Sequence, residues 1–165
     1  MERAGAAQVL VAGIGNVFAG DDGFGPEVAR RLAGSPVPDG VRVVDYGIRG
    51  LHLAYDLLDP WDALVLVDAL PDRGDAGTVE LLQIDPDAVR ADAGLDAHGM
   101  DPATVLAGLA ALGGRLPPRT LLVGCQVAGT ADGMGLSPRV AAAVDDALDL
   151  LRRVLEHELQ PGEVV

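Results

Sequence analysis

The chain has 165 residues, of which 49% are apolar but only 3% aromatic, and its formal net charge is −13. This length suits a single domain over residues 1–165, and the negative charge argues against binding to nucleic acid, whose phosphates would be repelled. All twelve cationic residues are Arg, so enzymes that depend on a P-loop lysine or a Schiff-base lysine are excluded. One cysteine forms no internal disulfide, and no apolar run is long enough to cross a membrane. We therefore expect a cytoplasmic protein, with a monomer as the default for this size.

Strand-like and helix-like segments alternate along the chain. In chain order the patterns predict a strand at 9–14, a helix at 26–34, a strand at 41–47, a helix at 51–59, strands at 62–70 and 77–84, a helix at 101–114, a strand at 119–127 and a helix at 137–159. This order predicts a three-layer α/β/α domain around a five-stranded, mostly parallel twisted sheet. The fourth strand follows the third after a short loop, so we expect it to be antiparallel and near an edge.

The topology brings two distant carboxylates to one place. With right-handed crossovers and the usual strand order 2-1-3, the first and third strands are neighbours, and the winding reverses between them. Open α/β sheets bind ligands at such a switch point, outside the carboxyl ends of the strands. Asp22 and Asp68 follow these two strand ends.

A glycine-rich turn follows the first strand and carries the adjacent carboxylates Asp21 and Asp22. Its start is similar to the dinucleotide fingerprint G-x-G-x-x-G, but Phe18 stands where the third glycine belongs and the aspartates would repel a pyrophosphate. Aspartates are also ordinary turn formers. The several glycines around them indicate a close approach of backbone, which a plain turn would not require.

Asp68 ends an apolar strand, where a carboxylate is costly unless it is paired, hydrogen-bonded or coordinated to a metal; the alternative is a turn or capping residue. His98 lies in the polar segment 85–100, which we interpret as an active-site loop. Two carboxylates and a neutral imidazole suit a first-row transition metal. The spacing leaves nickel, zinc, manganese and iron open.

Other hydrolase chemistries fit the sequence poorly. Cys125, near the end of the fifth strand, is most simply a buried small apolar residue. Neither Ser35 nor Ser137 lies in a G-x-S-x-G context, which disfavours a serine hydrolase. Adjacent aspartates in one turn seldom face each other closely enough to share a proton, which disfavours a two-aspartate protease.

The chain resembles the nickel–iron hydrogenase maturation proteases, which remove the C-terminal extension of the hydrogenase large subunit once nickel is in place. The resemblance covers nearly the whole chain and rests on GIGN (13–16) with GDDGFG (20–25), VDA (67–69), the loop around His98 and GLSP (135–138). It implies that Asp22, Asp68 and His98 bind the metal and are the candidates for catalysis. Many members have Glu where Asp22 stands, so the carboxylate of this chain reaches less far.

The resemblance also implies a partner and a substrate-binding loop. The partner is the hydrogenase large-subunit precursor, which would supply the nickel; another divalent transition metal is the alternative occupant. The segment 45–50 resembles the family's second glycine-rich loop, with Gly47, Arg49 and Gly50 near the substrate. Arg49 either pairs with an acidic group of the partner or is a solvated surface residue.

Two mechanisms and two other functions stay open at this point. Either the metal polarises the scissile carbonyl or activates water while Asp22, Asp68 or His98 accepts a proton, or the three residues only recognise nickel. The other functions are a metal-dependent chaperone that binds the precursor without cutting it, and a small-molecule hydrolase or nucleotide binder on the same sheet.

Overall fold

The computed structural model describes residues 5–85, 102–129 and 133–159. Each predicted strand and helix is present. The strands are β1 (Val9–Ile14), β2 (Val41–Gly47), β3 (Ala63–Leu70), β4 (Val79–Ile84) and β5 (Arg119–Gln126). The helices are α1 (Phe24–Ala33), α2 (Gly50–Asp56), α3 (Pro102–Ala111) and α4 (Pro138–Arg153), with a 3-10 turn at Gly20–Gly23 and a π-helical turn at Val154–Glu158.

The sheet confirms the predicted topology. Its strand order is β2-β1-β3-β5-β4. The first four strands in this order are parallel, whereas β4 pairs antiparallel with β5 at the edge. Because β1 lies between β2 and β3, the carboxyl ends of β1 and β3 meet at the predicted switch point.

Alternating side chains of the central strands enter two separate cores, which gives the three layers. In β1, Val9 and Val11 pack with α1 and α4 on one face of the sheet. Leu10, Ala12 and Ile14 pack with α2 and α3 on the other face. This arrangement explains why β1 reads as a continuous apolar run: every one of its residues is buried.

The helix α4 begins where the sequence predicted but changes form before its predicted end. The side chain of Ser137 caps it by accepting a hydrogen bond from Val140 N. After Arg153 the chain continues as a π turn, in which Leu159 N donates to Val154 O. None of the helices in the described ranges is both long and apolar enough to cross a membrane.

Contacts at the C-terminal end of α2 join it to neighbouring residues. The buried hydroxyl of Tyr46, near the end of β2, donates to the Asp56 carboxylate at 2.6 Å. Burial, and then this bond, raise the pKa of the Tyr46 phenol above its ordinary value. The indole of Trp61 donates to the Asp56 carbonyl at 2.9 Å. The helix ends at Asp56 rather than at the predicted 59, because the chain turns there and the Asp56 carbonyl accepts from Asp59 N as well as from the indole.

Candidate active site at the carboxyl edge of the sheet

The N-terminus of α1 lies directly against the ends of β1 and β3. A Cβ added to Gly13 would lie 2.4 Å from the carbonyl oxygen of Gly25. A Cβ added to Gly25 would lie 2.3 Å from the carbonyl oxygens of both Ile14 and Val67. Backbone occupies the space that a side chain would need, so the glycines are required by close approach. The 3-10 turn that leads into α1 therefore stands beside both strand ends.

Asp22 lies in this 3-10 turn and is half-buried. Its Oδ2 accepts a hydrogen bond from Asn16 N at 2.9 Å, which ties the carboxylate to the start of the loop after β1. Gly15 adopts a φ of +144°, and a Cβ there would lie 2.1 Å from the carbonyl oxygen of Asp22. The loop thus folds tightly around Asp22, and a backbone N–H fixes the direction of its side chain.

Asp68 lies in the last part of β3 and is 5% exposed. Its Oδ1 accepts a hydrogen bond from Ala69 N at 2.8 Å. It directly follows Val67, whose carbonyl contacts the start of α1. Asp22 and Asp68 therefore both lie at the carboxyl edge of two adjacent parallel strands, as the topology predicted.

The third predicted ligand, His98, lies outside the described residues. Within the described ranges no group of three or more His, Cys, Asp or Glu side chains could hold a metal ion. Only two of the three predicted ligands, Asp22 and Asp68, lie within the described ranges. The metal site therefore stays a prediction.

A groove of about 470 Å³ opens beside the 3-10 turn. Its walls come from that turn, α1, the end of β2 and the loop before α4, with the lining residues Val17, Gly20, Gly23, Pro26, Glu27, Arg30, Asp45, Met134, Gly135 and Leu136. Asp45, which lines it, lies within the loop 45–50 that the resemblance placed near the substrate, but only Gly47, Arg49 and Gly50 of that loop were predicted as site residues. The signal was present, because Asp45 ends the apolar part of β2 much as Asp68 ends that of β3.

Comparison with known proteins identifies the family. The hydrogenase maturation protease family, HycI, matches residues 26–154. The hydrogenase expression/formation protein HupD of Rhodobacter capsulatus is 36% identical, over 86% of this chain and 68% of HupD. The chain belongs to the hydrogenase maturation protease family. As a member it is an enzyme of the peptidase class, and the resemblance drawn from its motifs is confirmed.

Solved structures of family members share this fold. The hydrogenase-maturating endopeptidase HybD of E. coli superimposes with a TM-score of 0.77 and 27% identity, covering 93% of this chain and 94% of HybD. The hydrogenase 2 maturation peptidase of a Thaumarchaeota archaeon gives a TM-score of 0.70 and 31% identity, covering 90% and 98%. The α/β architecture of this maturation protease is thus that of its relatives.

The second glycine-rich loop of this maturation protease connects β2 to α2. Gly47 has a φ of +57°, a left-handed conformation that favours glycine, and Gly50 begins α2. The exposed guanidinium of Arg49 donates to the carbonyls of Asp45 at 2.6 Å and Tyr46 at 3.1 Å. In this structure Arg49 therefore holds its own loop, and its predicted pairing with an acidic partner group stays a prediction.

Cys125 is not an available nucleophile in this maturation protease. Its side chain is completely buried in the core beneath α4, as the sequence predicted. Burial, with a further contribution from the charge of Asp21, raises the pKa of the Cys125 thiol to about 11. At neutral pH the thiol is protonated, whereas a cysteine protease needs a thiolate.

Asp21 has a structural role that the sequence did not reveal. It is 8% exposed, and its two carboxylate oxygens accept hydrogen bonds from Ser137 N at 2.6 Å and Ser137 Oγ at 2.9 Å. Ser137 is the N-cap of α4, so this pair joins the 3-10 turn to that helix. Of the two adjacent carboxylates, Asp21 anchors the turn, and Asp22 is left as the candidate ligand.

Replacement of Ser137 by Ala removes both the cap of α4 and one bond to Asp21. We expect the free energy of unfolding to fall by about 1–2 kcal/mol, measured by urea denaturation. Ser35→Ala is the matched control, because the Ser35 hydroxyl donates to the Arg31 carbonyl at the exposed end of α1, and we expect a change below about 0.5 kcal/mol. Equal stabilities of the two variants would contradict the anchoring role.

Proposed function

We propose that this protein removes the C-terminal extension of a nickel–iron hydrogenase large subunit after nickel insertion, and that Asp22, Asp68 and His98 recognise the nickel carried by that precursor. The position of Asp68 supports this most strongly. It is a buried carboxylate at the carboxyl end of a central strand, next to the turn that holds Asp22. Two carboxylates so placed favour the approach of a cation.

The donor set fits nickel in its chemistry. Carboxylate oxygens and an imidazole nitrogen are ligands that first-row divalent metals accept. The two described carboxylates are each oriented by a backbone N–H, Asp22 by Asn16 and Asp68 by Ala69. Hydrogen bonds of this kind hold metal ligands in a fixed direction and lower the cost of ordering them when the metal arrives.

Hydrolysis of the scissile bond adds water across the peptide C–N bond, and this requires a proton acceptor. Asp22 and Asp68 are carboxylates within the proposed site, so either could take the proton of the attacking water and return it to the leaving amine. The nickel of the precursor would supply Lewis-acid chemistry at the same place. If the carboxylates instead only recognise nickel, they act by positioning the C-terminal segment for cleavage.

The decisive experiment incubates the purified protein with nickel-loaded large-subunit precursor and follows the mass of the precursor. We expect the nickel-loaded precursor to become shorter by its C-terminal extension, and nickel-free precursor, the control, to keep its full mass. A nickel-loaded precursor that is bound but never shortened would contradict the proposal and favour a non-proteolytic chaperone. Equal cleavage of both forms would contradict the recognition of nickel.

A further inference from the structure

We propose that an exposed apolar rim around the candidate site docks the folded large subunit of the precursor; this inference rests on the proposed function. The rim consists of five residues, Val17, Phe18, Ile48, Leu51 and Met134. Four of them are more than half exposed: Phe18 and Ile48 at 64%, Leu51 at 60% and Met134 at 72%. Exposed apolar side chains that are grouped on one surface indicate an interaction site, whereas isolated ones do not.

The rim residues lie on three segments that are bonded to one another: the loop after β1, the β2–α2 loop with the first turn of α2, and the loop before α4. Gly15 N donates to Gly47 O at 3.0 Å, which joins the loop that carries Val17 and Phe18 to the loop of Ile48, and Leu51 follows in the first turn of α2. Gly133 N donates to Phe18 O at 2.8 Å, which places the loop of Met134 on the other side. The five residues therefore form one surface rather than separate exposures.

This surface borders the carboxyl edge of the sheet. Val17 and Met134 also line the groove beside the 3-10 turn, and the first loop carries Asn16, which orients Asp22. A metal held inside a folded protein can reach Asp22 only if the surface around that metal contacts the loops next to Asp22. An apolar centre with polar groups at its margin is the usual composition of such an interface.

The net charge of the chain indicates what kind of partner surface can bind the rim. Two copies of this chain would each carry a net charge of −13, and like charges of this size repel one another. At the margin of the rim the groove is lined by Asp45 and by Glu27, whose charge is paired with Arg30 and Arg31. The fitting occupant is therefore a surface of the folded large subunit that is apolar at its centre and neutral or basic at its margin.

The test compares two double variants in the cleavage of nickel-loaded precursor. Phe18→Ser with Met134→Ser removes two exposed rim side chains. Leu81→Ser with Leu82→Ser is the matched control, because these residues are also partly exposed but lie on β4 at the opposite edge of the sheet. We expect the rim variant to raise KM, and the Kd for the precursor, about tenfold or more, with kcat within about twofold and the control unchanged.

Each other outcome decides against a particular claim. If the wild type cleaves and the rim variant keeps its KM and Kd, the docking surface is overturned while the proposed function stands. If the wild type binds precursor without cutting it, the function is overturned, and the Kd values still decide on the rim. If the wild type neither binds nor cuts, both claims are overturned. A dimer in sedimentation equilibrium that the rim variant abolishes would make the rim a self-interface and overturn the inference.

Discussion

Cleavage of nickel-loaded precursor should fall by roughly 100- to 10,000-fold in the Asp68→Asn variant, the range expected when a metal ligand or proton acceptor loses its charge. Asn has almost the same volume as Asp and keeps an oxygen that can accept the hydrogen bond from Ala69 N. The variant therefore changes the charge of the site and leaves the local shape intact. The measurement is kcat/KM from the mass of the precursor over time, with urea denaturation to verify that the variant is folded.

Asp72→Asn provides the control for this variant. Asp72 lies in the loop after the same strand, where its Oδ1 accepts a hydrogen bond from Gly74 N at 2.8 Å, and it is exposed. We expect this variant to cleave at the wild-type rate. A folded Asp68→Asn enzyme with wild-type kcat/KM would remove Asp68 from both proposed mechanisms. The same assay on His98→Ala tests the ligand that lies outside the described residues.

The largest loss of stability should follow from Gly25→Ala. The added methyl would lie 2.3 Å from two carbonyl oxygens, those of Ile14 and Val67, and backbone atoms at the ends of two central strands have little freedom to move. We expect the free energy of unfolding to fall by about 3 kcal/mol, at the upper end of the usual cost of overpacking. For a chain of this size that corresponds to a Tm lower by about 6–12 °C, measured by circular dichroism.

Gly129→Ala is the matched control for Gly25→Ala. A Cβ added to Gly129 meets no described atom within 4 Å, and its φ lies outside the left-handed region. We expect this substitution to change stability by less than about 0.5 kcal/mol. If both variants unfold at the wild-type temperature, α1 can move away from the strand ends, and the close approach that positions Asp22 is not rigid.

Much of the fold was predictable because it depends on repeated local patterns. The apolar run 9–14 predicted a strand buried on both faces, and β1 is completely buried. The short connection between 62–70 and 77–84 predicted an antiparallel edge strand, which β4 is. Periodicity and loop length act over neighbouring residues, so they can be read without knowledge of the tertiary structure.

The ends of two helices could not be predicted in the same way. The pattern predicted that α2 extends to 59, but it ends at Asp56, where the indole of Trp61 binds the last carbonyl. The pattern also predicted a single helix over 137–159, yet the chain becomes a π turn after Arg153. Helix ends depend on which groups satisfy the terminal carbonyls, and the residues that do so are chosen by packing.

The candidate site was predictable in part. Strand order placed Asp22 and Asp68 at adjacent strand ends, because right-handed crossovers leave few possible arrangements. The resemblance chose Asp22 as the ligand, but the residues themselves did not separate the roles of Asp21 and Asp22, since both stand in the same turn. Their difference comes from Ser137, which lies 116 positions from Asp21 and binds its carboxylate.

The sequence by itself determined the layer architecture, the family and the place of Asp22 and Asp68 at adjacent strand ends, since these follow from periodicity, glycine placement and short motifs that neighbouring residues define. Only the tertiary structure decided that Asp21 anchors α4, that Arg49 binds its own loop, and that backbone hydrogen bonds join the loop after β1 to the β2–α2 loop and to the loop before α4. These facts depend on which distant segments meet. No local pattern carries that information, because the energy of such contacts is set by side chains far apart in the chain.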